Sequence, residues 1–261
     1  MFSIVRAPGT AHFSGVPPRL RDGAGRPGQR QLEQAIMKNF YIILGAVGVV
    51  GVVVVALTIR GGGSAASVPV DLPPDMSDSE LVDLAQGIVY GDPNAPITIM
   101  EFGNYQCPAC MIFALQVKPQ LDLAYIEAGQ AKLVYYDFPT AGLPHSFVAA
   151  RAARCAGDQD RYFEYHDEVY RTQREWSVPN SPVGHFKDLA DDLDLDTRAF
   201  DACLDSDMHA DVVTANLQLG VRIGVTATPN IFVHDGGPPF QKLGGFQFID
   251  VQQAVEAISQ N

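Results

Sequence analysis

The chain has 261 residues, enough for one or two domains with a real core, and at 47% hydrophobic and 18% charged residues most of it should fold. Lys+Arg total 18 against Asp+Glu 30, a formal net charge of -12, which lacks the basic footprint that nucleic-acid binding needs. The balance is uneven: Arg6, Arg19, Arg21, Arg26, Arg30, Lys38 and Arg60 face only Asp22 and Glu33 in the first 60 residues, and everything beyond is strongly acidic.

Residues 1–39 are rich in Gly, Pro and Arg without a sustained apolar period, so the sequence predicts a disordered, cytoplasmic N-terminus. Residues 40–59 (FYIILGAVGVVGVVVVALTI) form an uncharged apolar run. At 1.5 Å rise per residue it reaches roughly 30 Å, the thickness of a bilayer core. A transmembrane signal anchor is expected. A cleaved signal peptide is the alternative, since GGGSAAS follows directly, and a buried soluble helix is a third reading. The basic residues ahead of the run place the N-terminus in the cytoplasm and the acidic remainder outside it, where disulfides persist. Residues 60–78, rich in Gly, Ser and Pro, read as a flexible linker. Residues 79–261 read as the folded domain.

Within that domain ITIMEF at 97–102 reads as a buried strand, 107–127 as a helix stopped by Gly129, and KLVYYDF at 132–138 as the next strand. Pro119 should kink that helix or split it. From 144 to about 221 the pattern turns helical, with segments at 144–156, 160–173, 184–193, 196–204 and 207–221. Asp196 and either Ser206 or Asp207 suit N-cap positions. Residues 230–233 and 240–244 read as a strand pair around Asp235-Gly236-Gly237, and 249–259 as a closing helix. The order is β-α-β, a helical block, β-β-α.

The chemistry centres on Cys107-Pro108-Ala109-Cys110. A CxxC pair beside a βαβ unit is the sequence signature of a redox site. The thiolate is the nucleophile in disulfide exchange, and an ordinary thiol, of pKa about 8.5, is mostly protonated at neutral pH. A helix N-terminus presents unpaired N–H groups that favour the anion. Cys107 therefore reads as the attacking cysteine and Cys110, one turn in, as the resolving one. A zinc half-site or two inert thiols are the bland alternatives; zinc would want another CxxC or a close His pair, and no metal or other cofactor is expected.

Taken in order, EFGNYQCPAC, PHSFVAARAARCAGDQDRYFEYHDEVY and VTATPNIFV resemble the DsbA-like branch of the thioredoxin superfamily, over roughly 88–258. The resemblance implies an α/β, thioredoxin-like fold with an inserted helical block at about 142–224. It implies that Thr228–Pro229 is a cis-proline loop facing the cysteines, whose backbone could pair with a substrate strand; on the residues alone it is a strand-start proline. It implies that Glu101 is a buried acid able to move a proton to or from Cys110; otherwise it is a strand-edge carboxylate. The family's strongest oxidants carry His where this chain has Ala109, and that departure points to a milder oxidant or a reductant.

Cys155 and Cys203 fall in the inserted block. Outside the cytoplasm a structural disulfide is expected, closing a loop of about 48 residues worth roughly 4 kcal/mol; two buried free thiols are the alternative. The resulting expectation is a monomeric, single-pass protein of a bacterial cell membrane, with a periplasmic or extracytoplasmic protein-disulfide oxidoreductase domain. Its partners would be reduced or misoxidised secreted polypeptides and a membrane redox-recycling protein. A disulfide reductase of the same fold and a non-catalytic peptide-binding or chaperone module are the alternatives.

Overall fold

The computed structural model describes residues 65–178, 181–237 and 240–260. The expected disordered segment 1–39, the apolar run 40–59 and the first residues of the linker lie outside them. Among the described residues no helix is long and apolar enough to cross a membrane.

Five strands form one sheet: β1 (Ile88–Tyr90), β2 (Ile97–Gly103), β3 (Ala131–Asp137), β4 (Asn230–His234) and β5 (Gln241–Lys242), in the order β1-β3-β2-β4-β5. β2 runs parallel to β3 and antiparallel to β4. Nearly every residue of β2 is buried, as an apolar run at the centre of a two-sided sheet must be. One face (Ile97, Ile99, Leu133, Ile231, Val233) packs against the apolar sides of two helices, through Phe113, Val117 and Leu121 and through Val251 and Val255. The other face gathers Phe102, Phe138, Val225 and Phe232.

A parallel β2–β3 pair requires a crossover, here a helical run, α2, preceded in the chain by a short α1 (Asp78–Leu84). α2 opens at Pro108–Ile112, widens to a π-turn at Phe113–Val117, returns to α at Lys118–Leu121 and widens again at Asp122–Ile126. Of the two outcomes expected at Pro119, a kink or a split, the split does not occur. Proline lacks the N–H for the i−4 carbonyl, and its ring crowds that carbonyl. The wider π-turn just before it absorbs both defects, and the run continues. Gly129 closes it at φ 66°.

The helical block comprises α3 (Ser146–Gly157), α4 (Tyr162–Arg171), α5 (Gln173–Trp176), α6 (Val183–Asp192), α7 (Thr197–Leu204) and α8 (Ala210–Arg222). α3 is its axis. Its Ala-rich sequence lets neighbours approach closely, and it is buried from Ser146 to Ala156. Asp196 caps α7, accepting from the N–H groups of Arg198 (3.0 Å) and Ala199 (3.1 Å). α8 starts later than expected, with His209 at its N-cap in the left-handed region at φ 65°; Ser206 and Asp207 belong to the turn before it. A disulfide joins Cys155 of α3 to Cys203 of α7, with Cα atoms 5.8 Å apart. The chain closes with α9 (Phe248–Ser259).

Further features differ from the sequence reading. α1 is held by a capping box between Ser77 and Glu80, a signal that straddles the expected boundary between linker and domain, where no element is expected. β1 is only three residues long and pairs with β3, too short to show a period. The segment ahead of α1 is also docked: Ala66 N–H donates to Asp207 (2.8 Å), Val70 N–H to Thr214 (3.1 Å), and Arg151 donates to the Ala66 carbonyl (2.8 Å). At the other end, β5 spans two residues rather than the expected 240–244.

Candidate active site

β2 delivers the chain to the site. After Gly103, whose absent side chain leaves room for the Tyr135 ring (an added Cβ would lie 2.4 Å from it), a short loop leads to Cys107. Cys107 is the N-cap of α2, with extended φ −79° and ψ 122° and no side-chain cap of its own. Pro108 follows at the first helical position, where its missing N–H is harmless and its fixed φ suits the turn. The free N–H groups of the first turn are thus left to the Cys107 sulfur.

Those contacts shape its acidity. The Cys107 thiol is lowered to about 5. The hydrogen bond from Cys110 is the main cause; burial opposes it, and the Thr228 hydroxyl and the backbone N–H groups of Cys110 and Ala109 add to it. Cys107 is half-buried while Cys110 is fully buried, and both are free thiols. Burial pushes the Cys110 thiol well up, helped by Cys107 and by the charge of Glu101. Its sulfur accepts from the Asn104 N–H at 3.4 Å.

The register of β4 on β2 pairs Phe102 with Asn230, which brings the preceding loop alongside the residues after β2. The Thr228–Pro229 peptide is cis, and the Cys107 thiol donates to the Thr228 carbonyl at 3.3 Å. The helical block grips the same loop from the opposite side. Gln173 donates to the carbonyls of Tyr105 (2.7 Å) and Cys107 (3.1 Å). Gln106 donates to the Ser177 carbonyl (3.2 Å) and accepts from the His145 N–H (2.6 Å).

Glu101 lies on β2, buried, with one carboxylate oxygen lacking a hydrogen-bond partner. Desolvation holds its pKa well above the usual carboxylate range, with Lys118 pulling the other way. Lys118 is itself buried. Its ammonium lies 3.4 Å from Asp167 and 3.5 Å from Asp122, and 4.2 Å from the centre of the Tyr90 ring. Asp167 also meets the Nδ1 of buried His166 at 3.0 Å. Burial lowers the pKa of His166, whose ring stands edge-on to Tyr135 and Tyr170, each at 4.9 Å.

The sequence reading missed Lys118, Gln173 and this use of His166. Lys118 had a signal, since it falls on the buried face of α2 with Cys110, Ala114 and Leu121 at helical spacing. Gln173 had none, because its partners are backbone carbonyls far away in the chain.

A parallel strand–helix–strand unit with a dithiol at the helix N-terminus, a cis-proline loop against it and an inserted helical block define a thiol–disulfide oxidoreductase of the thioredoxin superfamily, DsbA-like in architecture. Residues 83–237 match the family described as Thioredoxin, and the chain belongs to that family. It is 27% identical over 153 residues to disulfide bond formation protein D of Bacillus subtilis, covering 56% of this chain and 67% of that protein. Among solved structures it is similar in fold to BdbD from Bacillus subtilis (TM-score 0.58, 24% identity, 66% of this chain and 92% of that one). It is also similar to Wolbachia pipientis alpha-DsbA1 (TM-score 0.59, 23% identity, 67% and 91%).

Proposed function

We propose that this protein introduces disulfides into secreted polypeptides on the outer side of a bacterial cell membrane, anchored by residues 40–59. The observation that carries the oxidising direction is the contrast within the dithiol: Cys107 is lowered to about 5 while the Cys110 thiol is pushed well up. Stabilising the Cys107 thiolate stabilises the reduced form, and a stabilised reduced form makes the disulfide a stronger oxidant.

In the oxidising cycle a substrate thiolate attacks the sulfur of Cys107 in the Cys107–Cys110 disulfide, and Cys110 leaves as a thiolate. Glu101, kept protonated by burial, supplies the proton that Cys110 needs. A second substrate thiolate then attacks the substrate sulfur of the mixed disulfide and expels Cys107, a good leaving group because of its low pKa. The Thr228–Pro229 backbone holds the substrate strand beside the sulfur. A membrane redox protein then re-oxidises the dithiol.

The reductase reading is favoured by Ala109, which offers no cation to the thiolate. The reduction potential separates the two: a value near about −120 mV supports an oxidase, whereas one near about −270 mV overturns that direction. Refolding of reduced, unfolded ribonuclease should proceed with the oxidised protein in stoichiometric amount. Inactivity there and in insulin reduction, with the Cys107–Cys110 disulfide intact, would instead favour a peptide-binding module. Alkaline extraction of membranes tests the anchor: the full chain should stay with the lipid, and a chain lacking 40–59 should not.

A further inference from the structure

The disulfide of the helical block sits in an unusual setting. Cys155 and Cys203 line a cleft of about 280 Å³ with Asp158, Gln159 and Met208. The Nε2 of His209 lies 2.8 Å from an Asp158 carboxylate oxygen, and the same oxygen lies 3.7 Å from the Cys203 sulfur. The two sulfurs and a ring nitrogen of His209 all fall within 4.8 Å of one another. Among the described residues this is the one grouping of three or more such side chains close enough to share an ion.

We propose that reduction of the Cys155–Cys203 disulfide opens a tetrahedral zinc site, with Cys155, Cys203, His209 and Asp158 as ligands. The donor set of two thiolates, an imidazole and a carboxylate is one zinc accepts, with metal–ligand bonds of about 2.0–2.3 Å. Ligand atoms around such an ion stand roughly 3.3–3.8 Å apart. The Asp158–Cys203 and Asp158–His209 separations already approach that range. The Cα separation of 5.8 Å leaves the two sulfurs able to part by side-chain rotation once the bond between them is broken.

The scaffold has a second support besides the disulfide. Arg151, fully buried, donates to the backbone carbonyls of Leu204 (3.2 Å), Met208 (3.1 Å), Ala66 (2.8 Å) and Ser206. It ties down the turn from Cys203 to His209 whatever the state of the sulfurs. His209 itself is fixed as the N-cap of α8, a helix of 13 residues.

The chemistry balances in two steps. A dithiol reductant gives two electrons and two protons to the Cys155–Cys203 bond and becomes a disulfide, leaving two thiols. Zn²⁺ then displaces those two thiol protons and binds both thiolates, the Asp158 carboxylate and Nε2 of His209, whose remaining proton resides on Nδ1. The site is closed while the disulfide is intact and open when it is reduced.

The test uses the full chain carrying Cys107→Ser and Cys110→Ser, so that one thiol pair remains. It is reduced with a phosphine, desalted and titrated with Zn²⁺, then with Co²⁺ as a spectroscopic probe. One zinc per reduced chain is expected, none per oxidised chain, and a visible Co²⁺ spectrum of a tetrahedral thiolate site. His209→Asn, which keeps a residue tolerant of the left-handed backbone, should weaken zinc binding at least about tenfold, and Asp158→Asn should do likewise. Zinc binding that is absent after reduction, equal in the oxidised chain, or unchanged in both variants overturns the proposal. Should reduction unfold the chain, recovery of its circular dichroism by Zn²⁺ supports the site, and failure to recover overturns it.

Discussion

The Cys107 sulfur lies 3.3 Å from the carbonyl oxygen of Thr228, a residue 121 positions further along the chain. The contact works against ionisation, since a carbonyl stabilises a thiol that donates to it and repels a thiolate. The Thr228 hydroxyl works the other way and helps to lower the Cys107 pKa. One residue thus carries both signs, and only the side-chain part can be removed without disturbing the backbone. Thr228→Val keeps the β-branched shape and loses the hydroxyl. Its Cys107 pKa should rise from about 5, and its reduction potential should fall. Thiolate absorbance against pH and equilibrium with a glutathione buffer would measure the two, and an unchanged pKa would show that the hydroxyl does not reach the sulfur.

Alkylation gives an independent reading of the same asymmetry. Cys107 should react with iodoacetamide along a titration curve with its midpoint near about 5, so it is almost fully reactive at neutral pH. Cys110, fully buried and pushed upward, should remain unmodified over the same range. Depression of the Cys107 pKa also stabilises the reduced fold. That stabilisation is complete above the range of an ordinary thiol and declines as pH falls, vanishing below about 5. Mass spectrometry of the alkylated peptides would decide it; a Cys107 midpoint near 8 to 9 would contradict the geometry.

Much of this site was legible because it is local. Cys107, Pro108 and Cys110 occupy one helical turn, and the turn's own N–H groups supply part of the chemistry. The sheet was readable where strands are long and buried, as at 97–102 and 132–138. It was not readable at β1, where three residues carry no period. Pro119 does not split the helix because proline rules describe a regular α-helix, whereas this helix widens to a π-turn ahead of it. The polar array of Glu101, Lys118, His166 and Asp167 comes from β2, α2 and α4. Only the fold brings these together, so a sequence pattern can flag Lys118 on a buried helix face but cannot name its partners.

The disulfide of the helical block should matter for stability more than for chemistry at Cys107. It closes a loop of 48 residues, worth about 4 kcal/mol in the chain-entropy model. Replacing both Cys155 and Cys203 by Ala should therefore lower the melting temperature by roughly 8–16 °C for a domain of this size. The Cys107 pKa should stay where it is. A loss below about 1 kcal/mol in denaturant would mean that α3 and α7 are held by packing alone.

At Glu101 stability and the proposed function should pull in opposite directions. Its pKa in the folded chain is raised well above 4.5, mainly by burial, while Lys118 offsets part of that effect. Between 4.5 and the folded value the native state binds a proton that the unfolded chain has released, so stability falls as pH rises through that window. Glu101→Gln removes the titration and keeps the shape. The variant should lose this downward slope and gain stability relative to the parent at pH 7. Catalysis should move the other way. Without a carboxyl group to exchange a proton with Cys110, turnover in disulfide exchange should drop by up to about a hundredfold, the lower end of the range for a general acid–base group. Cys110 should also become more acidic, because the Glu101 charge helps to raise it. Denaturant titrations at pH 5 and pH 7, together with ribonuclease refolding rates, measure both effects. A variant with unchanged rates but a flattened pH profile would leave Glu101 as a buried acid with no part in the exchange.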